Sequence, residues 1–315
     1  MRLYKLEELS WGDLRRLGHE GALFLLPISP LEDHGPHLPS GTDLILAQGF
    51  TGEVARRILE LDPKCRLVVA PGLPLGASLL QSLGCLRLRP STLKKAITEL
   101  GRQLEREGVR RAALVNVHFA ASHVAALEAA CRLASRGRRL QMISPTGRLT
   151  TRLLSGRLTP ALERALGRPL TEVERTGLLH DYHGGSIETS LMLKFRPDLV
   201  AFWYRDLPPH VLPPGELLRT RGRKLRTHRG YFGSPAVASP ELAEALCRVL
   251  VEESARTLLS WMGGQTPSAA LESGLHRAPL HWDLSAPLAA LLGLALGMGA
   301  ATLALAALRR GEERS

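Results

Sequence analysis

A chain of 315 residues, 44 % hydrophobic and 23 % charged, is long enough to bury one or two cores and is globular in composition. Its net charge of +11 comes from arginines scattered along the chain, aromatics are only 4 %, and no nucleic-acid motif accompanies the charge, so a nucleic-acid partner is excluded. The four cysteines (Cys65, Cys85, Cys131, Cys247) are far apart with no C-x-x-C pair, which excludes a disulfide framework or a thiolate zinc site and suits a reduced compartment.

Residues 1–21 carry no apolar signal segment and predict one short amphipathic helix around 11–17, so the N-terminal part of the chain is expected to stay in the cytoplasm. The apolar run 22–28 reads as a buried strand. It breaks into a loop, 31–43, with two histidines and three carboxylates among glycines and prolines. Helical spacing follows over 44–61, placing Asp43 at or near a helix N-terminus. Strands are expected at 66–71, 112–118 and 140–144, and helices at 91–108 and 122–135. Strand–helix alternation at this spacing predicts right-handed βαβ units and a mostly parallel sheet flanked by helices. Residues 147–180 form an arginine-rich helical excursion, and a second polar cluster, 180–190, runs into a helix that Glu188 opens. Residues 205–238 are loop-rich. Ser239, Pro240 and Glu241 predict the start of a helix ending near 262. Residues 1–262 are thus expected to form one domain. Gly, Ser, Pro and Ala then make 263–283 a linker, and 284–308, free of charge, predicts a C-terminal transmembrane helix followed by a polar tail, 309–315. That span would tether the chain to a membrane as a single-pass anchor.

The chemistry concentrates in the loop 31–43. Carboxylate and imidazole together suit a borderline divalent metal such as zinc or manganese, the bland alternative being a polar surface loop. In parallel α/β sheets ligands collect beyond the C-terminal ends of the strands. Glu32, His34 and His118 all lie at or just past such ends, on different strands.

Three segments together point further. Leu26-Pro27-Ile28-Ser29-Pro30-Leu31-Glu32-Asp33-His34-Gly35-Pro36-His37-Leu38-Pro39-Ser40-Gly41-Thr42-Asp43 closely resembles the signature loop of the creatininase family of metal-dependent amidohydrolases. His183-Gly184-Gly185-Ser186-Ile187-Glu188-Thr189-Ser190 and Gly230-Tyr231-Phe232-Gly233-Ser234-Pro235 are similar to later family segments, in the expected order. The resemblance implies a Rossmann-like three-layer fold, a hexameric homo-oligomer and a pair of divalent ions (Zn, Mn or Fe). It places Glu32 and His118 on one ion, His34 on the other and Asp43 between them, with His183 as the catalytic proton donor. Gly184 and Gly185 would let the backbone approach substrate. Asp33 and His37 would be second-sphere or solvated residues.

The chain departs from the pattern after His118, where Phe119-Ala120-Ala121 replaces the family's Gly-Gly-Asn. The family's namesake has a glutamate ligand at the place of Ala120. The second ion would then use Glu188, His123 or solvent, with Glu188 preferred on its motif and charge. The tryptophans that frame creatinine in the namesake have no clear counterparts, so creatinine is not the expected substrate. The resulting expectation is hydrolysis of a non-peptide C–N bond in a small-molecule cyclic amide, lactam or formamide. The alternatives are cleavage of a short modified peptide, or a non-catalytic membrane-anchored scaffold with a degenerate site.

Overall fold

A computed structural model describes residues 3–78, 85–211 and 229–278. Its centre is a five-stranded, all-parallel sheet: β1 (Leu3–Lys5), β2 (Leu23–Pro27), β3 (Leu67–Val69), β4 (Arg111–Val115) and β5 (Gln141–Ile143), in the order β1-β3-β2-β4-β5. The register pairs Leu23 with Leu67 on one side of β2 and with Arg111 on the other. Every residue of β2 is buried, as expected of a central parallel strand covered on both faces.

Alternation sorts the strand side chains between two cores. Leu23, Leu25, Ala113, Val115 and Ile143 join the core built with α2 (Thr42–Leu61), α8 (Ser186–Phe195) and α9 (Pro240–Met262). Phe24, Leu26, Ala112, Leu114 and Met142 join the core built with α1 (Trp11–His19), α3 (Pro90–Arg106) and α4 (Ala121–Ser135). This is the three-layer arrangement expected. Three helices, α5 (Thr146–Leu154), α6 (Thr159–Leu166) and α7 (Glu172–Leu179), form the excursion before α8. β1 was not foreseen; Leu3, Tyr4 and Lys5 become a strand only by pairing with β3. The start of α9 follows its sequence signals, with Ser239 Oγ accepting from Leu242 N at 3.0 Å.

The order of the sheet positions the site. From β2 the chain runs through α2 to β3 on one side, then through α3 to β4 on the other. The crevice beyond the C-terminal ends of β2 and β4 is therefore the topological switch point, where such folds bind their ligands.

The C-terminus requires a correction. Among the described residues no helix is long and apolar enough to cross a membrane. The two longest, α2 and α9, carry charges such as Glu53, Arg56, Arg57 and Glu60, or Glu244, Arg248, Glu252 and Arg256, and bury their apolar sides on the domain. This overturns the expected C-terminal transmembrane helix and the single-pass membrane localisation built on it. The stretch that suggested it, 284–308, lies outside the described residues. Residues 263–278, the described part of the expected linker, lie against the domain. Leu271 is buried, and the fully buried carboxylate of Glu128 on α4 accepts from Ser273 N at 2.6 Å and pairs with His276 Nδ1 at 3.0 Å.

Candidate metal centre

The loop after β2 is held open by its own backbone. Glu32 N donates to Ser40 O at 2.9 Å, and Gly35 N donates to the Asp33 carboxylate at 2.9 Å, with Gly35 in the left-handed region at φ 82°. Asp33 is thus spent on the turn and does not reach the other carboxylates. Asp43 lies in the first turn of α2, fully buried, with its carboxylate returned toward the loop.

Asp43 is the hub. Its Oδ2 lies 3.0 Å from His118 Nδ1, which is also 3.2 Å from Glu32 Oε1. Its Oδ1 lies 3.3 Å from His34 Nε2, which is also 3.5 Å from Glu188 Oε2. Glu188 sits in the first turn of α8, where its Oε2 accepts from Gly184 N at 2.5 Å. His183 stacks against His34 with ring centroids 4.2 Å apart, and its Nδ1 is 3.4 Å from Glu32 Oε1. Glu32, His34, Asp43, His118, His183 and Glu188, drawn from positions 32 to 188, therefore meet in one buried cluster.

The hydrogen bonds around the cluster decide which atoms face inward. His34 Nδ1 lies 2.9 Å from Glu32 O, and His118 Nε2 lies 3.2 Å from Ala77 O. A carbonyl only accepts, so each of these nitrogens carries a hydrogen and the other ring nitrogen points at the carboxylates. His183 Nε2 donates to Asp33 O at 2.6 Å in the same way, which turns Nδ1 inward.

Electrostatics follows from this crowding. Burial raises the Glu32 carboxyl, but the adjacent His118 and His183 imidazoles overcome it and hold the group down at about 2. Asp43, equally penalised by burial, is held low by His34 and His118. For His34 burial favours the neutral ring, yet Asp43 and Glu188 push it up to about 10; His118 is raised by Glu32 and Asp43. Glu188 is raised by burial. Both oxygens of Glu32 and of Asp43, and Nε2 of His34, are buried without any hydrogen-bond partner. Orphaned acceptors gathered round a common point are what divalent cations satisfy, and an oxygen and imidazole donor set without thiolate suits Zn, Mn or Fe. The residues fit a metal.

Other expected residues have different placements. His37 is buried, not solvated; its Nε2 pairs with Thr189 Oγ1 at 3.0 Å, and burial lowers it to about 4. His123 is fully buried and outside the cluster, with both ring nitrogens engaged, by Ala77 N and by Asn116 Oδ1. Gly184, at φ 59°, leaves no room for a side chain: a Cβ would sit 2.9 Å from Tyr231 Cβ and 3.0 Å from His34 O. A Cβ on Gly185 would collide with the Asp181 carboxylate. These glycines let three segments of this chain close on one another.

Sequence reading passed over three contributors. Asp181 Oδ2 accepts from Ile187 N at 2.5 Å and Ser186 Oγ at 2.8 Å, bracing the start of α8, and burial pushes it up to about 7. Its place in the second polar cluster was the available signal. Asn116, two residues before His118, is a buried polar residue at a strand end, where it shapes the backbone of His118. Ala77 acts through its peptide group and gave no signal.

The chain is similar to known proteins over most of its length. The family model described as creatinine amidohydrolase matches residues 7–258. A creatinine amidohydrolase of Pseudomonas putida is 29 % identical over 257 residues, 78 % of this chain and 92 % of that protein. A mycofactocin precursor peptide peptidase of Mycolicibacterium smegmatis is 27 % identical over 253 residues, 78 % of this chain and 88 % of that protein. Among solved structures, the one described as creatininase Mn superimposes with a TM-score of 0.61 at 24 % identity, over 82 % of this chain and 98 % of that one. A mutant creatininase of the Zn-Zn type gives 0.59 at 24 % identity, over 82 % and 98 %. The structural likeness establishes the fold; the family model, spanning most of the chain, establishes more. The chain belongs to the creatininase family of hydrolases.

Proposed function

We propose that the protein hydrolyses a non-peptide C–N bond in a small cyclic amide, lactam or formamide, using two divalent ions held on either side of Asp43. The observation that carries this reading is the Asp43 carboxylate itself: its two oxygens face two separate ligand sets, Glu32 with His118 and His34 with Glu188, and neither oxygen has a hydrogen-bond partner. Bound there, such ions would supply an activated water and polarise the carbonyl under attack. The protein's own contribution is proton handling and exclusion of water. His183 holds one hydrogen on Nε2 against Asp33 O, so Nδ1 is the atom free to exchange a proton with the departing nitrogen. Burial of all six groups keeps the developing charge in a low-dielectric pocket.

A panel of small cyclic amides, lactams and formamides, assayed on the full chain with metal analysis, tests the proposal. We expect close to two divalent ions per chain and metal-dependent hydrolysis. His183→Gln should keep both ions and lower kcat by about 10²–10⁴-fold. A chain that binds no divalent metal would sink the proposal.

A second reading has its own support. One relative is a peptidase of a precursor peptide. Beside Asp33, whose carbonyl holds His183, an open groove of about 640 Å³ runs past Pro36, Pro208, Arg229 and Tyr231 and offers room for a longer substrate. Short peptides belong in the same panel, and turnover of these with inert amides would favour this reading.

A further inference from the structure

We infer that His123, acting through Asn116 and the Ala77 peptide, is a positioning residue that fixes the ring of His118 so that only Nδ1 can face Glu32 and Asp43. This rests on the reading of the cluster as a metal centre. His118 Nε2 donates to Ala77 O at 3.2 Å. The N–H of the same residue, Ala77, donates to His123 Nδ1 at 3.1 Å, so Nδ1 of His123 is the unprotonated nitrogen. Its Nε2 therefore carries the hydrogen and donates to Asn116 Oδ1 at 3.1 Å. That oxygen also accepts from His118 N at 3.0 Å and Ser29 Oγ at 3.2 Å, while Asn116 Nδ2 donates to His118 O at 2.6 Å.

The bonds close a ring: His118 side chain, Ala77 peptide, His123, Asn116, His118 backbone. It draws on the end of β4, the loop after β3 and the first turn of α4, and Ser29 at the end of β2 is joined to it through Asn116. Every polar atom in it has one permitted role. Oδ1 of Asn116 meets three donors and Nδ2 meets one carbonyl, so the amide cannot flip without breaking four bonds. His123 cannot exchange its tautomer without setting two N–H groups face to face at Ala77. The His123 ring also meets the His118 ring edge-on, with centroids 5.1 Å apart and both residues buried. His118 thus keeps a hydrogen on Nε2 in either protonation state, and Nδ1 alone can exchange a proton for a cation. Second-sphere partners that fix a histidine tautomer change metal affinity by about 10–100-fold.

The test is zinc titration of the full-length, chelator-stripped protein, with His118→Ala defining the step that involves His118. His123→Leu should weaken that step by about 10–100-fold and leave the other unchanged. His123→Gln, which can accept from Ala77 N and donate to Asn116 Oδ1, should recover most of the loss. If the unaltered chain binds two zinc ions and His123→Leu binds both equally well, the role of His123 is overturned while the metal reading stands. If the unaltered chain binds no zinc, the metal reading itself fails. Nitrogen NMR of the stripped, unaltered protein provides a check that needs no variant to fold. A neutral His123 with its hydrogen on Nε2 is expected, and a hydrogen on Nδ1 would overturn the inference.

Discussion

The two oxygens of Asp43 face neighbourhoods built in different ways. On the Oδ2 side, Glu32 and His118 leave the C-terminal ends of β2 and β4, adjacent strands whose ladder pairs Pro27 with Val115. Their separation is set by sheet geometry. On the Oδ1 side, His34 comes from a turn and Glu188 from the first turn of α8, and no ladder joins them. Their approach depends on Gly184 at positive φ, on Gly184 N donating to Glu188, and on Asp181 bracing α8. One half of the centre is inherited from the sheet; the other is assembled by local turn chemistry, and should be the easier to disturb.

Asp43→Ala removes the group common to both halves. Metal content, read by elemental analysis of the purified chain, should fall from close to two ions to near none, with activity abolished. Glu188→Gln strikes the Oδ1 half alone. One ion per chain should persist, held by Glu32 and His118, while activity drops by about 10²–10³-fold; loss of both ions would erase the distinction between the halves. Asp181→Asn leaves every proposed ligand in place but replaces the carboxylate that receives Ile187 N and Ser186 Oγ. Zinc affinity on the Oδ1 side should weaken by about tenfold, with the Oδ2 side unchanged. Equal weakening of both steps would show that the two halves are mechanically one.

The smallest expected effect is on pH dependence. In the metal-free chain burial disfavours charge on His34, but Asp43 and Glu188 raise its pKa from 6.5 to about 10. A raised imidazole contributes stability that is complete below 6.5 and lost as pH climbs toward about 10. Metal binding needs the neutral ring, so affinity rises over the same interval. Thermal melts with and without chelator should therefore diverge as pH increases across that interval, and parallel curves would show that His34 does not exchange its proton for a metal.

The sequence made the Oδ2 half the more legible of the two. Glu32 and His118 each follow an apolar run that ends on a polar residue, and the parallel-sheet pattern places such ends together. His34 and Asp43 were visible because they share a loop with Glu32. Glu188 required a motif, since nothing in local pattern brings α8 to the end of β2. His123 reads in sequence only as an alternative ligand to Glu188, and its place beside Asn116 and Ala77 is not legible there, because burial of a polar group by tertiary contact has no local signature. The same holds for Glu128, whose carboxylate turns residues of linker-like composition into a packed segment. The apolar stretch near the C-terminus illustrates the converse: composition satisfied the length of a membrane span, while the described helices carry none.

The division at Asp43 also has a consequence in time. Glu32, Asp43 and His118 are all made before Glu188, which follows His118 by about 70 residues. At about 5–20 residues per second, the ribosome completes the ligands of one oxygen several seconds before it supplies the last ligand of the other. If two ions bind as proposed, the one beside the sheet could be taken up by a nascent chain, whereas the one beside α8 would have to wait for Glu188 to be synthesised.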